Sequence, residues 1–175
     1  MTDTTATVPD DSIHSTTFSW TDPSVALEQL PLLSGMEYLT GIMNRTIPGP
    51  PIASLMNFDV THVEPGTVTF TSRPEEAHFN PLGSIHGGLA CTLLDTVLAC
   101  AGHSTLAAGI GYTSIDITVN YLRPIQPNNG PLVATGRVVK AGSRVIFTEG
   151  EILGADGKAV ATATSSLLVF PHPGA

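Results

Sequence analysis

The residues best suited to chemistry lie between Asn80 and Asp95: Asn80-Pro-Leu-Gly-Ser-Ile-His86-Gly87-Gly88, then an apolar run with one carboxylate, Asp95. The first N–H groups of a helix lack intrahelical partners and sit at the positive end of its dipole, and glycine lets a substrate atom come close to them. Gly87 and Gly88 at a helix start therefore offer an oxyanion hole. Asp95 stands where a buried helix would otherwise carry Leu, Val or Ala, and it can act as general base or nucleophile. Each residue also has a plainer role, since glycines ease helix-on-sheet packing and Asn-Pro starts turns. His86 reads as site architecture, a ring that holds the loop, and not as a base.

These groups need elements to carry them. From about His86 to His103 the apolar residues leave hardly any polar face, so the segment reads as a long buried helix that something must wrap. Upstream, Asp22-Pro23 and Ser34-Gly-Met-Glu37 look like helix starts, giving two short helices before the Pro48-Gly-Pro-Pro51 break. From Ile52 the period changes to two, and a hairpin is expected around Glu64-Pro-Gly66. Downstream, 112–122 alternates, with Ile115, Ile117, Val119 and Tyr121 on one side and Ser114, Asp116, Thr118 and Asn120 on the other. Strands near 131–140, 144–154 and 158–170 follow, joined by Ala141-Gly142-Ser143 and Ala155-Asp156-Gly157. The reading is α+β: a curved antiparallel sheet around one long helix, its last four strands in a meander. Residues 1–22, rich in Thr, Ser and Asp, read as a disordered tail, 23–50 as a helical segment and 51–175 as the main domain.

Composition narrows the function. A chain of 175 residues suits one domain, and 42% hydrophobic against 13% charged residues suggests a large core or a subunit interface. The net charge of −8 argues against general nucleic-acid or anionic-membrane binding. Five of the seven cations, among them Arg123, Lys140 and Arg144, fall in the last third and leave room for a local anion site. Cys91 and Cys100 are nine residues apart, about 13 Å along a helix, so they cannot pair and read as small core residues of a reduced, cytoplasmic protein. No secretory leader or membrane span is expected, because the most apolar early stretch, 25–43, is broken by Glu28, Gln29, Pro31 and Glu37. The six histidines show no metal-ligand spacing.

The motif, its place before a buried helix and the strand order resemble the hotdog-fold thioesterases, in particular the phenylacetic-acid-degradation type of acyl-CoA thioesterase. Asn80, Gly83, His86, Gly87, Gly88 and Asp95 match at the family's spacing, and Tyr-Leu-Arg-Pro at 121–124 closes the next strand as it often does there. The likeness covers about 36–170. It implies that the Gly87 N–H donates to the thioester carbonyl, that Asn80 is a second polar contact, that Asp95 is the catalytic carboxylate and that Ser114 helps orient water. Gly88 would line the substrate site, and Arg123, Lys140 and Arg144 are candidates for the coenzyme A phosphates. No cofactor is implied, coenzyme A being part of the substrate. Two other readings stay open: a hotdog-fold acyl-thioester hydratase or dehydratase, and a non-catalytic acyl-CoA binding module.

Spacing adds a constraint of its own. Gly87 and Asp95 are eight residues apart, about 12 Å along one helix. Both would have to come within roughly 3 Å of one thioester group. A two-fold dimer with Gly87 of one chain facing Asp95 of the other solves this and gives two equivalent sites. The resemblance implies the same dimer, commonly paired into tetramers.

Overall fold

The computed structural model describes residues 12–126 and 130–172. Three short helices come first: α1 (Ser24–Leu27), α2 (Gly35–Met43) and α3 (Pro51–Leu55). Strands β1 (Phe58–Glu64) and β2 (Thr67–Ser72) precede the long helix α4 (Gly87–His103), and β3 (Ile110–Tyr121), β4 (Leu132–Ala141), β5 (Val145–Leu153) and β6 (Ala159–Pro171) complete the chain. All six strands form one antiparallel sheet in the order β1-β2-β4-β5-β6-β3.

The sheet wraps one side of α4, as expected. Leu93, Leu94, Val97 and Leu98 are wholly buried against inward residues such as Val68, Leu132 and Ile152, each side chain contributing roughly 1.5–3 kcal/mol. Close approach is set by Gly136 on β4, where a Cβ would lie 2.2 Å from the Val97 carbonyl oxygen. The opposite stripe of α4 is left open by the described residues. Gly88 and Asp95 are exposed there, and Cys91, Thr92 and Thr96 are half-buried. Cys91 and Cys100 are unpaired; Cys100 packs against the core as expected, whereas Cys91 lies half-buried on the open stripe.

Three local expectations are corrected. The strand expected from Ile52 starts at Phe58, because Pro51 takes the first position of α3, which suits its fixed φ and missing N–H. The last four strands are not a meander. The Pro-containing connection after Tyr121 carries the chain across, so that β4 pairs with β2 and β3 lies at the far edge beside β6. Third, the alternation in β3 breaks at a bulge between Ser114 and Asp116, opposite Leu167 and Ser166. The extra residue shifts the phase, so Ser114 points to α4 from the same face as Ile117 and Val119, not the opposite one.

The capping box of α2 forms as read: Ser34 accepts from the Glu37 N–H, and Glu37 accepts from the Ser34 N–H at 2.9 Å. Asp22 accepts from the Ser24 N–H at 2.9 Å, but the N-cap of α1 is Pro23, so the helix starts one residue later than read. Within residues 12–22, His14 lies 3.0 Å from Glu76, and Ser19 to Asp22 border a cavity described below. The rest of the expected tail, 1–11, lies outside the described residues.

Candidate active site

The N-terminus of α4 is prepared by its loop. Asn80 Oδ1 accepts from the N–H groups of Leu82 (2.9 Å) and Ser84 (3.2 Å), and its Nδ2 donates to Ser84 Oγ at 2.9 Å. His86 is the N-cap residue: its Nδ1 accepts from the Gly88 N–H at 2.8 Å, which leaves the proton of a neutral ring on Nε2. The Gly88 donor is thereby used, and His86 acts as the loop-holding ring expected from the sequence. Among the described residues the Gly87 N–H meets no acceptor. The Gly87 carbonyl accepts from Tyr121 Oη at 3.2 Å, and a Cβ at 87 would lie 3.2 Å from the Tyr121 ring, so glycine leaves room for that contact.

Two turns further along α4 the chemistry changes from backbone to side chain. Asp95 Oδ1 accepts from Ser114 Oγ at 3.1 Å. The neighbouring hydroxyls are spent inside the helix, Thr92 on the Gly88 carbonyl (2.9 Å) and Thr96 on the Thr92 carbonyl (2.8 Å). Burial, with the Asp95 charge added, pushes the Cys100 thiol up to about 12, so it is no thiolate nucleophile. The Tyr112 hydroxyl is raised for the same reasons. His103 stacks between Tyr38 and Tyr112 with ring centroids 5.7 and 5.0 Å away, and burial lowers it to about 4, so the ring is neutral.

These two groups of residues open on different spaces. Asn80, Gly87, Tyr121 and Arg123 line a cavity of about 350 Å³. Asp95 and Ser114 line another of about 930 Å³, and the two share no residue. The three candidate cations are also dispersed. Arg123 is bound to its own chain through Asp156 (3.0 and 3.2 Å) and the carbonyls of Ala159 (3.0 Å) and Lys158 (2.8 Å). That geometry clamps the β5–β6 hairpin to the segment after β3. Lys140 and Arg144 sit at the β4–β5 turn, toward the other end of the sheet, and make no ion pair among the described residues. No group of three or more possible metal ligands occurs among the described residues.

The family model described as "Thioesterase superfamily" matches residues 82–161. Human acyl-coenzyme A thioesterase 13 is 34% identical over 98 residues, spanning 55% of this chain and 69% of the human protein. This chain belongs to the thioesterase superfamily. A Ralstonia eutropha structure described as a putative thioesterase, phenylacetic acid degradation-related protein, has a TM-score of 0.69 at 28% identity, covering 75% of this chain and 98% of that one. A Streptococcus mutans structure solved with acetyl CoA bound scores 0.61 at 27% identity, covering 66% and 90%. The thioesterase described here thus has the hotdog fold and is a thioester hydrolase. Residues of its two cavities that were not singled out as site residues from sequence include Tyr121, Tyr112 and His103. The first signalled itself only as the start of Tyr-Leu-Arg-Pro. The other two read as ordinary strand and helix-end residues, and the fold places them on the same cavity as Asp95.

Proposed function

We propose that this thioesterase hydrolyses acyl-CoA to the free acid and coenzyme A at sites shared by two copies of the chain. The observation that carries the proposal is the separation of the cavities: Gly87, whose N–H meets no acceptor among the described residues, lines one and the Asp95–Ser114 pair the other. Thioester hydrolysis needs a donor for the developing oxyanion and a group that deprotonates water. One chain holds both, but about 12 Å apart. A second copy facing the open stripe of α4 brings Gly87 of one to Asp95 of the other.

In this reading Asp95 takes a proton from a water that Ser114 helps to hold. The oxygen adds to the thioester carbon, and negative charge gathers on the carbonyl oxygen at the Gly87 N–H, with Asn80 beside it. The C–S bond then breaks and coenzyme A leaves as thiolate, a leaving group that needs no strong general acid. If the same carboxylate instead attacks the carbon directly, coenzyme A leaves as thiolate and a mixed anhydride forms; water attack at its Asp95 carbonyl would label Asp95 in a single turnover in ¹⁸O-water. No metal or cofactor is required, and dialysis against EDTA is expected to leave the rate unchanged. Lys140 and Arg144, which make no ion pair among the described residues, are the better candidates for the coenzyme A phosphates, while Arg123 is largely committed to its hairpin.

Complementation tests the shared site. Asp95→Asn and Gly87→Pro proteins, each inactive alone, are mixed under conditions of subunit exchange. Half the dimers are then mixed, each with one intact site of two, so thiol release should recover to about a quarter of the wild-type rate. No recovery despite demonstrated exchange would sink the proposal of sites shared between chains.

A further inference from the structure

The outer wall of the Asp95 cavity is built from a part of the chain that the family match does not include. Trp20, Pro23, Ala26, Leu27 and Leu30 border it, all upstream of α2 and far from the matched segment 82–161. This strap has no core of its own. Helix α1 buries none of its residues, and Trp20 and Leu27 stay 61% and 58% exposed beside the cavity. Large apolar side chains held at the mouth of a site are covered when an apolar ligand fills it.

Charge narrows the ligand further. The cavity's one cation, Arg45, is held by Asp59 at 2.9 Å. Its other charged groups, Asp22 and Asp95, are acidic. His103 is neutral and packed between two tyrosines. A second carboxylate on the acyl group would find no counter-charge here. A volume of about 930 Å³ also far exceeds what an acetyl group fills and lies within the range of sites for sizeable ligands.

We infer that residues 19–30 are the acyl-specificity element of this enzyme, with Trp20 and Leu27 walling a site for an uncharged medium-chain acyl group. The inference rests on the acyl-CoA hydrolase reading above. Trp20 is the chain's single tryptophan, so its emission reports on the strap alone. In full-length Asp95→Asn protein, decanoyl-CoA is expected to shift that emission to the blue, with acetyl-CoA and succinyl-CoA leaving it in place. Equal shifts with all three, or none while calorimetry shows decanoyl-CoA bound, would overturn the inference.

The wild-type kcat/KM for thiol release is expected to rise about fourfold per methylene from butanoyl- to decanoyl-CoA. Trp20→Ala combined with Leu27→Ala should cost decanoyl-CoA at least tenfold more than acetyl-CoA. Leu27→Gln, at an exposed position, gives the same test if the double variant unfolds. A uniform loss across the series overturns the strap's role. If wild-type protein releases thiol from no acyl-CoA while Trp20 still reports chain-length-dependent binding, the hydrolase reading fails and the strap assignment stands.

Discussion

In the proposed site the group at the N-terminal end of α4 belongs to the backbone, whereas the one eight residues later belongs to a side chain, and the two are held in place differently. The Gly87 N–H is positioned by the helix itself, by the His86 cap and by a loop that Asn80 ties together. Any helix start has such donors; here a ring takes the Gly88 N–H, and the Gly87 N–H meets no acceptor among the described residues. Asp95, in contrast, depends on a distant strand: Ser114 reaches it only because a bulge turns that residue toward α4. A backbone donor tolerates side-chain change and is removed only by deleting the N–H. A carboxylate can be silenced by one isosteric substitution.

The sharpest way to break this comparison is Asp95→Asn, which keeps shape and removes charge. Thiol release should fall about 10²- to 10⁴-fold with acyl-CoA binding retained in calorimetry. Gly87→Pro deletes the N–H at a helix position that accepts proline, the Tyr121 ring yielding a few tenths of an ångström. It should cost about 10²- to 10³-fold in kcat with unchanged far-ultraviolet circular dichroism. A loss under threefold would remove that donor from the mechanism. Ser114→Ala takes one charge-assisted hydrogen bond from Asp95 and should lower kcat roughly tenfold.

The smallest effect concerns stability, and it separates the two ends by pH. His103, lowered from 6.5 to about 4 by burial, binds its proton in the unfolded chain before the folded one. Stability therefore falls as pH drops from 6.5 toward 4. Asp156, near the Gly87 cavity, is held down from 3.8 to about 2, chiefly by its hydrogen bond from Arg123. Its contribution is complete above the unfolded value and is lost only as pH falls from 3.8 toward 2. Thermal melts should show both stages. His103→Phe should remove the upper one and Arg123→Met the lower.

Much of the architecture was legible because it rests on local signals. Ser34-Gly-Met-Glu37 contains every atom of a capping box, and the run from Gly87 to His103 buries the residues its apolar pattern names. The hairpin at Pro65-Gly66 has glycine in the left-handed region, φ +79°, as a turn of that composition requires. Less legible were features that depend on distant partners. Whether β4 followed β3 or joined β2 is decided by sheet pairing across 60 residues or more, which no window of sequence contains. The bulge that turns Ser114 inward looks, in sequence, like an unbroken alternation.

By itself, then, the sequence determined which groups exist and their distance along one helix: donor, cap, carboxylate, and about 12 Å between donor and carboxylate. Helix geometry follows from local hydrogen bonding, so that distance needs no tertiary information. Only the tertiary structure decided that Ser114 serves Asp95, that Arg123 clamps a hairpin, and that the strap at 19–30 walls the larger cavity. Those facts depend on which surfaces meet, and that depends on packing the whole chain.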